Sequence, residues 1–233
     1  MNEKQWNEKC RRFNYMGFGK ETAKLWFVGM EFRGMGDTPS TFAYDERVCE
    51  IASKQITEES TGKKGRTQIY NYMERIETRA RGLHETMRHP QYRDEYLLQP
   101  EKGWSLFTNL YPFARPSTRS PLTPELVTLG FSSVEDYEDT VQTFRFRRLR
   151  EFWYRNKPEY TICFGGERWA DFKLLFELSN TPSISFKSSS DVRYYETKGL
   201  FLMPFGRRGW RKGALPGAVA DAVGDHIRAH LAQ

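Results

Sequence analysis

Two polar side chains lie near the ends of apolar runs, and both could take part in chemistry. Glu31 follows the compact run KLWFVG at residues 24–29, which is typical of a buried strand. A carboxylate there can orient a water molecule and stabilise a developing cation. Asn109 lies near the end of a second run, WSLFTNLY at residues 104–111, and its amide offers both a donor and an acceptor. The alternatives are a solvent-exposed loop glutamate and an asparagine that caps a turn.

The elements that would position these side chains alternate between apolar strands and amphipathic helices. Further strands are predicted at 159–164, around 192–195 and at 200–204, and helices over 1–20, 45–56, 67–88, 135–157, 167–178 and 216–232. The alternation predicts an α/β fold of three layers, α/β/α, in a single domain over 1–233. Its central sheet is expected to be mostly parallel and covered on both faces.

In such a sheet, ligands bind beyond the carboxyl ends of the strands. Three loops are predicted there, at 29–44, 109–121 and 204–213. The first holds Glu31 and the second begins at Asn109. We therefore expect these loops to form the functional site.

Composition narrows the partners that such a site could have. The formal net charge is +6 and aromatic residues make up 15% of the 233 residues. Arginines together with aromatic rings suit phosphate contacts and base stacking, although a solvated basic surface has the same composition. Three cysteines, Cys10, Cys49 and Cys163, are too few for a four-cysteine metal site. No apolar run is long enough to span a membrane, and the charged N-terminus is unlike a signal peptide. We expect a cytoplasmic monomer with neither metal nor cofactor.

The order and spacing of these segments resemble the uracil-DNA glycosylase superfamily along nearly the whole chain. VGMEFRG at 28–34 resembles the family's water-activating loop, with Glu31 at the position of its carboxylate. FTNLYPFARP at 107–116 resembles the strand whose asparagine hydrogen-bonds the extruded base, with Asn109 at that position. EYTICFGGERW resembles the strand, glycine turn and helix that support the pocket floor. The resemblance implies a DNA glycosylase that flips a uracil or a modified pyrimidine and hydrolyses its N-glycosidic bond, leaving an abasic site.

The segment LFLMPFGRRGWRKG at 200–213 stands in place of the family's His-Pro-Ser loop. Met203 replaces the histidine, so the departing base would be stabilised by Arg207, Arg208 or loop amides. Phe205 or Trp210 could wedge into the base stack when the base flips.

Arg33 replaces a tyrosine that blocks the pyrimidine 5-position in the best-known branch of the family, and Phe32 replaces the preceding proline. This exchange leads to the hypothesis that the pocket accepts a pyrimidine with a polar 5-substituent, such as the hydroxymethylated or glucosylated cytosines of some phage genomes. The enzyme would then serve antiviral defence. Alternatively, Arg33 binds a phosphate. Phe42 or Tyr44 would stack on the base, or belong to the core.

Basic residues on the helix at 135–157 and on two of the loops could follow the DNA backbone, although such charge runs are often ordinary surface. They are Arg115, Arg119, Arg145, Arg147, Arg148, Arg150, Arg155, Arg208, Arg211 and Lys212.

Two rival interpretations remain. The same fold could be catalytically degenerate and hold DNA or a protein partner, which the missing histidine favours. A nucleotide-processing α/β enzyme is disfavoured because neither a GxGxxG motif nor a P-loop follows the first strand.

Overall fold

A computed structural model describes residues 16–33, 68–86, 103–115, 120–187, 189–204 and 216–231, together with residues 2, 4–6, 92 and 97. The strands are β1 (Phe18–Gly19), β2 (Leu25–Arg33), β3 (Ser105–Arg115), β4 (Tyr160–Phe164), β5 (Ile184–Phe186), β6 (Ser189–Tyr195) and β7 (Leu200–Met203). The α-helices are α1 (Gln68–Ala80), α2 (Pro124–Thr128), α3 (Val134–Val141), α4 (Arg147–Asn156), α5 (Trp169–Leu175) and α6 (Pro216–Leu231). A π-helix, Gln142–Phe146, joins α3 to α4, and short 3₁₀-helices span Gly166–Arg168 and Glu196–Lys198.

All seven strands form one mixed sheet in the order β1-β3-β2-β4-β7-β6-β5. The four central strands, β3, β2, β4 and β7, are parallel to one another, whereas β1, β6 and β5 pair antiparallel with their neighbours. The prediction of an α/β fold with a mostly parallel central sheet is thereby confirmed. From β2 the chain passes to β3 on one side and then to β4 on the other. The carboxyl end of β2 therefore lies at a topological switch point, where ligands of such sheets bind.

Apolar side chains cover both faces of the sheet, as the alternation of residues along a strand requires. On one face, Trp26, Val28 and Leu106 pack with residues of α3, α4 and α5. On the other, Phe27 and Phe107 pack with residues of α1 and α6. The sheet is thus the middle of three layers.

Polar contacts fix α1 against the sheet and against α6. The Glu77 carboxylate is fully buried and accepts hydrogen bonds from Ser105 Oγ at 2.6 Å and from the Tyr92 hydroxyl. Arg75 Nε donates to Asp221 Oδ1 at 3.0 Å. Burial raises the pKa of Glu77 despite these hydrogen bonds. The last turns of α1 are consequently held beside the amino end of β3, and its middle is held beside α6.

Two strands extend further than the sequence predicts. We placed residues 30–40 and 112–121 in loops, but β2 continues to Arg33 and β3 to Arg115. The pairing between them continues as well, with Glu31 opposite Tyr111 and, after a register shift, Arg33 opposite Arg115. Pro112 is tolerated because β1 pairs with β3 at Leu106 and Phe107, well before it.

The helices also depart from prediction in places. The helix predicted over 135–157 is interrupted by the π-helix. In the segment 1–20, where the sequence predicts a short helix that leads into a turn at Gly17–Gly19, strand β1 lies at that turn. The predicted helix at 45–56 lies outside the described residues. None of the helices in the described ranges combines the length and apolar character needed to cross a membrane.

His226 on α6 makes stability depend on pH. Edges of four aromatic rings surround it, with Tyr194 the nearest at 5.0 Å between ring centroids, and its Nε2 has no hydrogen-bond partner in the described part of the chain. Burial lowers the pKa of His226, helped by His230 and Lys187 and opposed by Glu196.

Because its folded-state pKa is lowered, the contribution of neutral His226 is fully present above its ordinary pKa of 6.5 and declines as pH falls below that value. We expect the free energy of unfolding of the wild type, measured by thermal denaturation, to fall from pH 7 to pH 5. His226 contributes at most about 1.4 kcal/mol per pH unit to this decrease. His226→Phe should flatten that part of the curve. Superimposable pH profiles of the two proteins would contradict the assignment.

Candidate functional site

Asn109 lies on β3 directly beside Gly29 of β2, level with the carboxyl end of the neighbouring strand β4. A Cβ atom on residue 29 would lie 2.2 Å from Asn109 Oδ1 and 3.2 Å from the ring of Phe107, so the space above Gly29 is occupied by the amide and the ring. The asparagine is 2% exposed. Its Nδ2 is buried and has no hydrogen-bond partner among the described residues. A buried amide without a partner is costly and suggests that a ligand supplies the missing acceptor.

Aromatic rings of α1, β2, β3 and β4 form the layer in which Asn109 lies. Tyr70 meets the edge of Phe107, with ring centroids 6.1 Å apart. Phe164 is stacked between Phe27 at 6.0 Å and Tyr72 at 6.2 Å. Flat apolar side chains around a single amide suit a planar ligand with polar edges.

Arg145 holds the backbone at Asn109 from the opposite face of the sheet. Its side chain projects from the π-helix and the residue is 1% exposed. The guanidinium donates to the carbonyl oxygen of Asn109 at 2.8 Å and to that of Leu110 at 3.0 Å. A longer contact of 3.4 Å reaches Thr108 Oγ1. The arginine therefore binds three successive residues of β3.

Beyond Arg145, a charged network lies on the same face of the sheet and joins β3 to α3, the π-helix and α5. We call it the edge cluster; its members are Tyr111, Arg115, Glu138, Gln142, Arg168 and Asp171. Glu138 accepts hydrogen bonds from Arg115 Nη2 at 2.9 Å and from Arg168 Nη1 at 2.9 Å. Burial tends to raise the pKa of Glu138, but the two arginines outweigh it and hold that pKa below its ordinary value.

The remaining members of the edge cluster surround Asp171. Its carboxylate accepts from the Tyr111 hydroxyl at 3.1 Å and from Arg168 Nη1 at 3.2 Å. Burial raises the pKa of Asp171 in spite of Arg168, and burial likewise raises the pKa of Tyr111. The network buries charge at the carboxyl end of β3 and ties that end to three helical segments.

The structure brings two of the sequence-predicted site residues onto neighbouring strands. Glu31 lies on β2 two residues beyond Gly29, and Gly29 is the partner of Asn109. Phe32 and Arg33 follow at the end of the same strand. For residues 31–33 the structure describes the backbone position alone. The other predicted base-binding, catalytic and DNA-binding residues lie outside the described residues; they are Phe42, Tyr44, Arg119, Phe205, Arg207, Arg208, Trp210, Arg211 and Lys212.

Two arginines assigned to the DNA surface are buried instead. Arg115 is 1% exposed and paired with Glu138, and its guanidinium lies over the Tyr137 ring at 5.5 Å. Arg145 binds main-chain carbonyls in the interior. Both face the interior because each binds acceptors that lie there, a carboxylate for Arg115 and main-chain carbonyls for Arg145. Neither guanidinium is on the surface where a DNA phosphate could reach it.

Met203, compared above with a histidine of the uracil-DNA glycosylases, ends β7 with its side chain fully buried. It packs in the same apolar cluster as Phe164 and Tyr72. This residue contributes to the core and offers no hydrogen-bond donor to a departing base.

Sequence analysis did not single out Gly29, and it assigned Arg145 to the DNA surface and not to the support of β3. Gly29 has a detectable signal, since a glycine inside a strand often marks a close approach of another group. Arg145 has a weaker one, since it stands between two phenylalanines in a run otherwise read as surface.

A separate cavity of about 490 Å³ lies at the opposite edge of the sheet, where β4 and β7 begin. Its walls include Trp153, Tyr154, Lys157, Glu159 and Lys198. It is therefore distinct from the switch point. In the described ranges, no group of three or more His, Cys, Asp and Glu side chains could hold a metal ion.

No protein-family model and no curated protein sequence matches this chain. Its function is therefore argued from the residues at the switch point.

Proposed function

We propose that this chain is a DNA glycosylase that flips a uracil or a modified pyrimidine from DNA and hydrolyses its N-glycosidic bond. The observation that carries the proposal is the buried amide of Asn109, set among aromatic rings at the switch point of the sheet, whose Nδ2 has no hydrogen-bond partner in the part of the chain that the structure describes. An amide in that position can pair with the polar edge of an extruded base.

The position of Glu31 supports the hydrolytic part of the proposal. Neighbouring strands lie about 4.8 Å apart and two residues span about 6.6 Å, so the backbones of Glu31 and Asn109 are separated by on the order of 8 Å. That distance allows a base held by the amide to present its sugar to a water near Glu31. A carboxylate would orient that water and stabilise the cationic sugar as the bond breaks.

We propose that the enzyme prefers a cytosine with a polar 5-substituent to uracil. The reason is Arg33, which stands where the related enzymes carry a tyrosine that excludes 5-substituents. An enzyme with this preference would attack modified phage DNA and act in antiviral defence. We propose that it binds DNA as a monomer and uses no cofactor.

The buried Met203 favours a second candidate function, a catalytically degenerate module of the same fold that binds DNA or a protein partner. A fully buried methionine at this position removes the group that would stabilise the leaving base. The two functions differ in whether any base is released at all.

The experiment that tests the proposal is mass spectrometry of small molecules released from a panel of DNAs. The panel contains uracil, cytosine, 5-hydroxymethylcytosine and glucosylated 5-hydroxymethylcytosine, each in single and double strands. Release of a free pyrimidine base together with an abasic site is expected. Release of uracil alone would exclude the modified-cytosine preference, and release of nothing would exclude the glycosylase.

Glu31→Gln separates the enzyme from the binding module. We expect the variant to lose base release and to keep its affinity for DNA, because the amide cannot serve as a base but preserves the size of the side chain. Affinity is measured by fluorescence anisotropy on the DNA of the panel from which the wild type releases a base. Glu21→Gln, at an exposed turn before β2, is the control and should release base as the wild type does. Unchanged release by Glu31→Gln would remove Glu31 from the mechanism.

A further inference from the structure

The π-helix turns the side chain of Arg145 towards the sheet. A regular helix would leave that side chain at the edge of the sheet. Three consecutive residues, Phe144, Arg145 and Phe146, are buried there. Successive side chains of an α-helix point about 100° apart, so three in a row seldom face the same core. Single π-turns of this kind are frequent at functional sites. Here the widened turn directs the Arg145 guanidinium at β3.

The strand that receives this guanidinium loses its regular alternation just beyond this point, at Tyr111. Leu110 and Tyr111 both pack in the apolar cluster of the α3–α5 face, whereas alternation would send one of them to the other face. The carbonyl oxygens of Asn109 and Leu110 both accept hydrogen bonds from Arg145. The arginine thus satisfies two buried acceptors at the break in the strand.

The Asn109 side chain lies on the other face, and it is the last one on that face before alternation fails at Tyr111. Its Oδ1 lies 2.2 Å from the position that a Cβ of Gly29 would take. A small rotation of the Asn109 peptide would therefore move Oδ1 and Nδ2 together. Holding the carbonyl oxygen of that peptide at 2.8 Å restrains the rotation.

We propose that Arg145 is a positioning residue, which orients the Asn109 amide towards its ligand through the backbone of β3. The role rests on the proposed function, in which that amide holds the flipped base. Misplacement of a substrate-orienting group by about 1 Å can cost on the order of 100-fold in rate. Arg145 would act on the reaction without touching the base or the DNA.

The chain offers a closely matched control on the continuous helical segment that contains Arg145. Arg150 also donates to main-chain carbonyls, to Leu175 at 2.8 Å and to Leu174 at 2.9 Å, and pairs with Glu177. These acceptors lie at the end of α5, away from Asn109. Together with Glu177 they occupy all three nitrogens of the Arg150 guanidinium, so the structure removes Arg150 from the arginines that the sequence predicts to follow DNA. Arg145→Lys and Arg150→Lys therefore remove equivalent main-chain contacts, and only the first acts on β3.

The test compares these two variants by base release and by the side-chain amide signal of Asn109 in ¹⁵N NMR, identified by its loss in Asn109→Leu. We expect Arg145→Lys to shift that signal and to lower kcat by about 10- to 100-fold with KM for DNA unchanged. Arg150→Lys should leave both at wild-type values. An unshifted signal in Arg145→Lys, or equal effects of the two variants, would overturn the positioning role.

The two proposals fail in different ways. A wild type that releases no base refutes the proposed function, while the amide signal still decides whether Arg145 orients Asn109. If Arg145→Lys does not fold, Thr108→Val serves instead, because it removes only the acceptor 3.4 Å from Nη2. A smaller decrease in kcat is then expected at unchanged KM, and wild-type kcat would overturn the proposal.

Discussion

Asn109→Leu should stabilise the protein and at the same time strongly decrease base release. Leucine has the same branched shape and the same number of side-chain heavy atoms as asparagine, so it fills the space beside Gly29 without leaving a cavity. The variant removes a buried N–H donor that has no partner in the described structure. Such a donor costs about 1–3 kcal/mol, so we expect the free energy of unfolding to rise by about 1 kcal/mol in urea titrations.

The loss of activity follows from the same amide. Replacing one preorganised donor in an active site lowers kcat by about 100- to 1,000-fold. We expect a decrease of that size in base release, measured under single-turnover conditions on the best substrate of the panel. The combination of higher stability and lower activity is characteristic of a group retained for ligand binding.

Thr161→Val is the matched control and should behave in the opposite way. Thr161 is fully buried on β4, and its hydroxyl accepts a hydrogen bond from Trp153 Nε1 at 2.9 Å. Valine leaves that N–H unpaired, so stability should fall by about 1–3 kcal/mol while base release is unchanged. If Asn109→Leu instead lost stability and kept its activity, Asn109 would be a structural residue.

The strands that position the site were predictable because their apolar residues stand in compact runs. The run at 24–29 identified β2, and LFLMP identified β7. Their ends were not predictable in the same way. Gly29 and Pro112 look like strand terminators in sequence, but the pairing of β2 with β3 continues past both. Long-range pairing outweighs local preference there, and it moves Glu31 from a loop into the sheet.

The arginines show a second limit of sequence reasoning. Arg145 and Arg147 stand in one basic run, yet the first is 1% exposed and the second lies on the surface. Charge alone cannot separate them, because burial depends on whether acceptors lie opposite. The carbonyls of Asn109 and Leu110 and the carboxylate of Glu138 come from distant parts of the chain. Only the folded arrangement shows that Arg145 and Arg115 have interior partners.

Glu138→Gln should cause the largest loss of stability among the variants of the edge cluster. Glu138 neutralises Arg115, whose side chain is fully buried, and Arg168, whose side chain is 13% exposed. Removing one charge from a buried ion pair typically costs about 3–5 kcal/mol, because the remaining charge is left uncompensated. We expect a loss in that range, measured by urea denaturation at pH 7.

Glu177→Gln is the control for this variant. Glu177 also pairs with an arginine, Arg150, at 2.8 Å, but its side chain is 50% exposed. Exposed ion pairs contribute about 0–1 kcal/mol, so this substitution should cost less than 1 kcal/mol. Equal losses in the two variants would show that the ion pairs of the edge cluster stabilise the fold no more than an exposed ion pair does.

The pH dependence gives an independent check on Glu138. Its folded-state pKa is held below the ordinary value of 4.5, so the ion pairs contribute fully above pH 4.5 and are lost as pH falls through the lowered pKa. The stability difference between wild type and Glu138→Gln should therefore shrink in acid. A difference that stays constant from pH 7 down to pH 3 would mean that size, and not charge, makes Glu138 necessary. The end of β3 would then owe its position to packing and to its contacts with Arg145 and Asp171.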